Sequence, residues 1–243
     1  MAAGLTRKVI CEALSGAASW DGGGYLDALT RALDDALPNF ETPRYQGAFR
    51  EQAVDRDWFA SLLASNLYME GYSAGRLKQY SGVISGDGTL QRDLARHAHD
   101  EARHSLQFYD LLFLVFPHLD TPTLRREAKA NVVDLDAITP CPADYPAPSS
   151  DELLNSLILM NLFEIKALYL GNYLRPFVRA HAPAAQAREA EAIICGIAGD
   201  ECHHIAYTAR HIDAYVRELG ADAVASLMSG FIEQMNGSDD FHL

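Results

Sequence analysis

Cysteine is scarce in this 243-residue chain, and the four present (Cys11, Cys141, Cys195 and Cys202) form no C-x-x-C pair. That argues against a rubredoxin-type or zinc-ribbon site and reads as buried or free thiols in a reducing cytoplasm. Basic residues are also in deficit, with 20 Lys and Arg against 33 Asp and Glu, a net charge of −13, and no Lys/Arg cluster. Nucleic-acid binders carry a basic face, so neither DNA nor RNA is an expected partner, and an anionic membrane surface is disfavoured on the same ground. No run of eighteen apolar residues occurs, so no membrane-spanning helix is expected, and the N-terminal segment lacks the apolar core of a secretory signal. Alternating strand patterns and solenoid-length repeats are missing too.

What is there is helical periodicity, in a chain that is 49% hydrophobic, enough to build a sizeable core. Short helices are predicted over 5–19 and 25–37, separated by Asp21-Gly22-Gly23-Gly24 and followed by a loop from Pro38 through Pro43. Four long helices are predicted over 56–85, 90–115, 151–180 and 183–219. A short helix near 123–135 sits in the Pro-rich crossover 118–149, and a last helix covers 221–235 before a polar tail. Ser149 and Glu152 form a capping-box pattern, Pro183 reads as a first-turn residue, and Gly220 ends the fourth long helix. Short links make the first and second long helices one antiparallel hairpin and the third and fourth another, joined by the crossover. The expectation is an all-α single domain over 1–243, with a bundle core at about 56–219, an N-terminal extension 1–55, and a C-terminal helix and tail 220–243.

Each long helix carries acidic or imidazole groups on an apolar stripe. The stripes are Leu63, Leu67, Glu70, Ala74, Leu77; then Leu94, His97, Glu101, His104, Phe108, Leu111; then Leu157, Met160, Glu164, Ala167, Gly171; then Ile194, Ile197, Glu201, His204, Thr208. This is the spacing of a buried helix face. A lone carboxylate there is costly, and four with two histidines call for a shared cationic centre. Carboxylate with imidazole and no thiolate suits two iron ions, or manganese, better than structural zinc. Glu101-Ala102-Arg103-His104 and Glu201-Cys202-His203-His204 are both E-x-x-H, which sets a Glu and a His side by side on one helix face.

The order Glu70, Glu101/His104, Glu164, Glu201/His204 resembles the ferritin-like di-iron carboxylate superfamily over about 56–219. The resemblance implies a ferritin-like four-helix bundle with two metals near its centre. It implies that Glu101 and Glu201 bridge them, Glu70 and Glu164 bind terminally, and His104 and His204 complete the two sides. Asp100 and Asp200 precede the two motif glutamates, and the resemblance makes them acceptors that orient ligand histidines, with exposed helix charges as the competing reading. Arg103 joins an ion-pair network or faces solvent. His97, one turn before Glu101, is a candidate extra ligand, with a hydrogen-bonded core histidine as the competing reading; His99, His203 and His211 are placed outside the ligand set. Small residues beside the ligands (Gly71, Ser73, Ala74, Gly75, Gly171, Gly196, Gly199) read as close packing or a cavity, with a cavity favoured for some. Tyr68, Tyr72, Tyr109, Tyr169 and Tyr207 read mostly as core aromatics. Phe108 stands where the superfamily's radical proteins carry a tyrosine, which weakens a radical-generating role.

Two functions compete. The first is an oxygenase or oxidase that activates dioxygen to oxidise a small organic substrate, supplied with electrons by an external donor; a homodimer is compatible with it. The second is a ferroxidase or peroxide scavenger of ferritin-like or rubrerythrin-like type. Two histidines, four carboxylates, the N-terminal helices and the long crossover favour the first.

Overall fold

The computed structural model describes residues 10–14, 22–84, 87–139, 141–142 and 145–238. Among the described residues every regular element is a helix: α1 (Gly23–Asp35), α2 (Pro43–Ala53), α3 (Arg56–Val83), α4 (Gly88–Val115), α5 (Pro122–Lys129), α6 (Ser150–His181), α7 (Ala187–Leu219) and α8 (Ala221–Ser238), with 3-10 turns at Asn39–Glu41, Pro117–Leu119 and Leu135–Ala137. The predicted first helix, 5–19, lies outside the described residues except for 10–14, which are helical. The chain forms two compact units. The first draws on Met1–Arg50, Ser149–Leu170 and Ala198–Leu243, and the second on Glu51–Pro148 and Gly171–Ile197. Helices α6 and α7 each give a segment to both.

In the second unit, α3 and α4 pack along their length. Asp55 starts α3 by accepting from Asp57 N and Trp58 N, and Asp87 starts α4 by accepting from Thr89 N and Leu90 N. Each cap satisfies amides that a helix start leaves open. Gln91 Nε2 donates to Ser81 O near the connection, and Ser105 Oγ donates to Leu67 O two turns and more away, so the pair is antiparallel. Leu63, Leu67, Ala74 and Leu77 on α3 and Leu94, Phe108 and Leu111 on α4 are buried, as their stripes predict. At the far end, Phe59, fully buried, lies 6.3 Å from Phe116, 6.1 Å from Phe177 and 5.1 Å from His181 between ring centres. His181 Nε2 is 2.8 Å from Ala53 O, which ties the end of α6 to the end of α2.

In the first unit, α1 packs on α8, and Arg31 joins them through Asp222 at 2.7 Å. The capping box is formed: Ser149 N donates to Glu152 Oε2 at 2.8 Å and Glu152 N to Ser149 Oγ at 3.3 Å. Gly220 ends α7 with φ of +88°, a conformation that favours glycine.

Three elements depart from the sequence reading. Helix α2 follows the Pro38–Pro43 loop, over residues to which the sequence reading assigns no element; Thr42 Oγ1 accepts from Tyr45 N and Pro43 supplies the first turn, a start signal the weakly apolar sequence obscures. Helix α5 stops at Lys129 rather than near 135. Helix α7 begins at Ala187, because 183–186 close a turn through Gln186 N to Pro183 O at 2.8 Å instead of starting the helix. The cysteines form no disulfide among the described residues, and none is buried: Cys11 and Cys195 are exposed, Cys141 and Cys202 half-buried. Helix α6 is long and apolar enough by composition to cross a membrane, with a window of mean hydropathy 1.4, which a count of uninterrupted apolar residues does not detect. Half of that window is buried inside the structure, as the core helix of a folded domain also would be.

Candidate metal centre

The second unit builds one Glu/His group across its helix hairpin. Glu101 and His104 sit one turn apart on α4, and Glu70 comes from α3. His104 Nδ1 lies 3.4 Å from Glu101 Oε1 and 3.8 Å from Glu70 Oε2. One donor atom from each of the three falls within 4.8 Å of the others, close enough to share an ion. His104 is fully buried and Glu101 nearly so. Burial first, then the neighbouring Glu101 carboxylate, pushes the Glu70 carboxyl up to about 8, while His104 pulls the other way. Two carboxylates and imidazole in so little water are chemically suited to a cation, which would remove the repulsion that raises Glu70. His97, also buried, points Nε2 to within 3.4 Å of Glu101 Oε1, one helical turn away. It faces the same carboxylate as His104 and is among the buried His and Glu residues that could hold a metal ion, as the extra-ligand reading expects.

The first unit builds a second group in the same way. Glu201 and His204 are one turn apart on α7, and Glu164 comes from α6. His204 Nδ1 lies 3.1 Å from Glu201 Oε2 and 3.3 Å from Glu164 Oε2. All three residues are buried. In both units the E-x-x-H spacing turns a glutamate and a histidine to one spot, and the partner helix adds a single glutamate. Glu70, Glu101 and His104 form a group able to hold a metal ion, while in the second group His204 stands within hydrogen-bond distance of both glutamates.

The surroundings correct parts of the sequence reading. Asp100 is buried and pairs with Arg103 at 2.8 Å and Arg96 at 3.8 Å, so Arg103 takes part in an ion-pair network while its side chain stays half exposed. Asp200 is half-buried. His99 and His203 are exposed and face backbone carbonyls of Ala95 and Gly199, and His211 packs edge-on against Tyr207. The α6 stripe is rotated from the expected one: Met160, Ala167 and Gly171 are half-buried, whereas Leu154, Ile158, Leu162, Ile165 and Tyr169 are buried with Leu157 and Glu164. Gly71 marks close packing rather than a cavity, since a Cβ there would stand 2.8 Å from Asn131 O in the crossover. Around Gly196 and Gly199 there is open space. Tyr68 and Tyr72 are exposed and stacked at 6.4 Å, not core, because they lie on the side of α3 away from Leu67 and Ala74; Tyr109 is half-buried, and Tyr169 and Tyr207 are buried.

The sequence reading missed the network behind the second group. Tyr25 Oη donates to Asn161 Oδ1 at 2.7 Å, Asn161 Nδ2 donates to Thr208 Oγ1 at 2.9 Å and Ile205 O at 3.2 Å, and Thr208 Oγ1 donates to His204 O at 2.7 Å. All three side chains are fully buried, and burial raises the Tyr25 hydroxyl well above its usual range. The network fixes α6 against the turn of α7 that carries His204. Its only sequence signal is a lone Asn inside the apolar run Leu157–Phe163. Tyr25→Phe leaves Asn161 Oδ1 without its donor, and we expect a loss of about 1–3 kcal/mol in a denaturant melt of the metal-free protein; an unchanged midpoint contradicts the assignment.

Comparison with protein-family models, with curated proteins and with solved structures found no match.

Proposed function

We propose that the chain is a ferritin-like, non-haem di-iron oxygenase or oxidase that uses dioxygen and an external electron donor to oxidise a small organic substrate. The observation that carries the reading is the repeat of one design in both units: a buried E-x-x-H pair facing a glutamate from the adjoining helix. In this proposal the residues that would hold the irons are Glu70, Glu101 and His104 in one unit and Glu164, Glu201 and His204 in the other, with His97 beside Glu101 as a further candidate. The irons, when bound, supply the electrons that dioxygen requires and a Lewis-acidic surface for it.

The protein's own part is positioning and exclusion of water. Leu63, Leu67, Leu94 and Phe108 in the second unit, and Leu157, Ile158, Leu162 and Ile205 in the first, give the groups apolar neighbours along their helices. Such surroundings strengthen every charge interaction among the six ligands. The Tyr25–Asn161–Thr208 network keeps the His204 turn in register. The charge deficit and free thiols fit a cytoplasmic enzyme acting on a small molecule.

The test is oxygen uptake by the iron-loaded, pre-reduced chain against a panel of carboxylic acids, aldehydes, amines and amino acids. We expect one class to accelerate uptake and to be recovered oxidised in proportion to it. Uptake that follows only added Fe(II), with ferric mineral accumulating, favours the ferroxidase alternative and overturns the oxygenase.

A further inference from the structure

We propose that a cleft at the connected ends of α3 and α4 is a binding site for a small organic dianion, a phosphate monoester or a dicarboxylic acid. The cleft has a volume of about 390 Å³ and is lined by Lys78, Gln79 and Ser81 from α3, Gln91 and Arg92 from α4, and Cys141 from the crossover, with Ala95 and Ile138 at its apolar side. It lies wholly in the second unit. The volume falls in the range of small-molecule pockets.

Its charge sets it apart. The chain carries thirteen more acidic than basic residues, yet no carboxylate lines this cleft among the described residues. Lys78 and Arg92 both face it, and neither has an ion pair among the described residues. The polar contact of the Arg92 guanidinium is with the Thr89 hydroxyl at 3.2 Å, a neutral group. Two uncompensated cations on one concave surface attract an anion of matching charge, the Arg fork gripping two oxygens and the Lys ammonium acting as a point charge.

The neutral side chains are held ready. Gln91 Nε2 donates one N–H to Ser81 O at 3.2 Å, and Gln79 Nε2 one to Thr139 O at 3.5 Å. Each amide is thereby pinned to backbone with its second N–H left for a ligand oxygen. Ala95 and Ile138 offer a surface to a short carbon chain, which points to an organic anion over a bare inorganic one. Cys141 Sγ rests 3.8 Å from Gln79 O on the same wall, so its reactivity reports occupancy. The inference is independent of the metal centre.

The experiment is calorimetric titration of the full chain, dialysed free of metal so that anions ligating a cation are not counted. The probes are glycerol phosphate and succinate, with chloride as control. We expect saturable binding of one dianion per chain, weakened about tenfold or more in Lys78→Gln/Arg92→Gln. Maleimide labelling at Cys141, read by peptide mass spectrometry, should slow in the presence of the tighter probe. Tighter glycerol phosphate identifies a phosphate site and tighter succinate a dicarboxylate site; either supports the proposal. Heats equal to chloride, unchanged affinity in the double variant, or Cys141 labelling indifferent to a bound dianion overturn it.

Discussion

Glu101→Ala should abolish iron binding by the α3–α4 group and, with it, oxygen-dependent turnover. Glu101 is the residue on which that group turns: its Oε1 is 3.4 Å from His104 Nδ1 and 3.4 Å from His97 Nε2, and its charge is what most raises Glu70 after burial itself. Loss of a partner that merely orients a ligand typically costs about 10–100-fold in metal affinity or activity, so loss of the ligand should cost at least about a hundredfold. The metal-free protein should respond in the opposite direction. Without Glu101 the buried Glu70 no longer faces a second carboxylate, and Glu101→Gln, which keeps the shape, should raise the melting temperature of the metal-free chain while lowering that of the iron-loaded one. The paired melts separate a functional carboxylate from a structural one. A Glu101→Gln protein that binds iron as tightly as the parent, or that is less stable without metal, contradicts the assignment.

Glu41→Gln should make the protein more stable at pH 8 by up to about 3 kcal/mol, with no difference near pH 4. Glu41 ends the 3-10 turn Asn39–Glu41 and is 4% exposed, and burial pushes its carboxyl from 4.5 up to about 7, with the nearby Tyr169 hydroxyl pulling the other way. The sign follows from proton linkage. A carboxyl raised in the folded state binds its proton more tightly there than in the unfolded chain. Its contribution is most favourable below the unfolded value of 4.5, declines as pH rises, and reaches its full cost above about 7. Gln cannot ionise, so it escapes that cost. Denaturant melts of the two proteins from pH 4 to pH 8 measure the difference directly. A gap that does not change with pH, or a variant weaker at pH 8, excludes the buried ionisation.

Glu41 and Asn161 also mark where reading the sequence stops. The E-x-x-H pairs were legible because residues three apart on a helix must share a face, whatever the chain does elsewhere. The stripes on α3, α4 and α7 were legible for the same local reason, and the capping box at Ser149 is contained in four residues. Asn161 has its meaning from Tyr25, 136 positions away, and Glu41 from Tyr169 on another helix; nothing near either residue announces the partner. Helix α6 shows the intermediate case. Its apolar residues nearly encircle it, so periodicity could not pick the buried face, and the stripe through Met160 and Ala167 was misplaced while Glu164 was not. Gly71 was recognised as a residue needing a reason, but the choice between a cavity and close packing depended on where Asn131 of the crossover lies.

The most direct test of the central claim is anaerobic titration of the purified chain with Fe(II), followed by desalting and metal analysis. Two buried E-x-x-H groups, each with its added glutamate, predict saturation at two irons per chain. A plateau at one iron, or none retained, would contradict it.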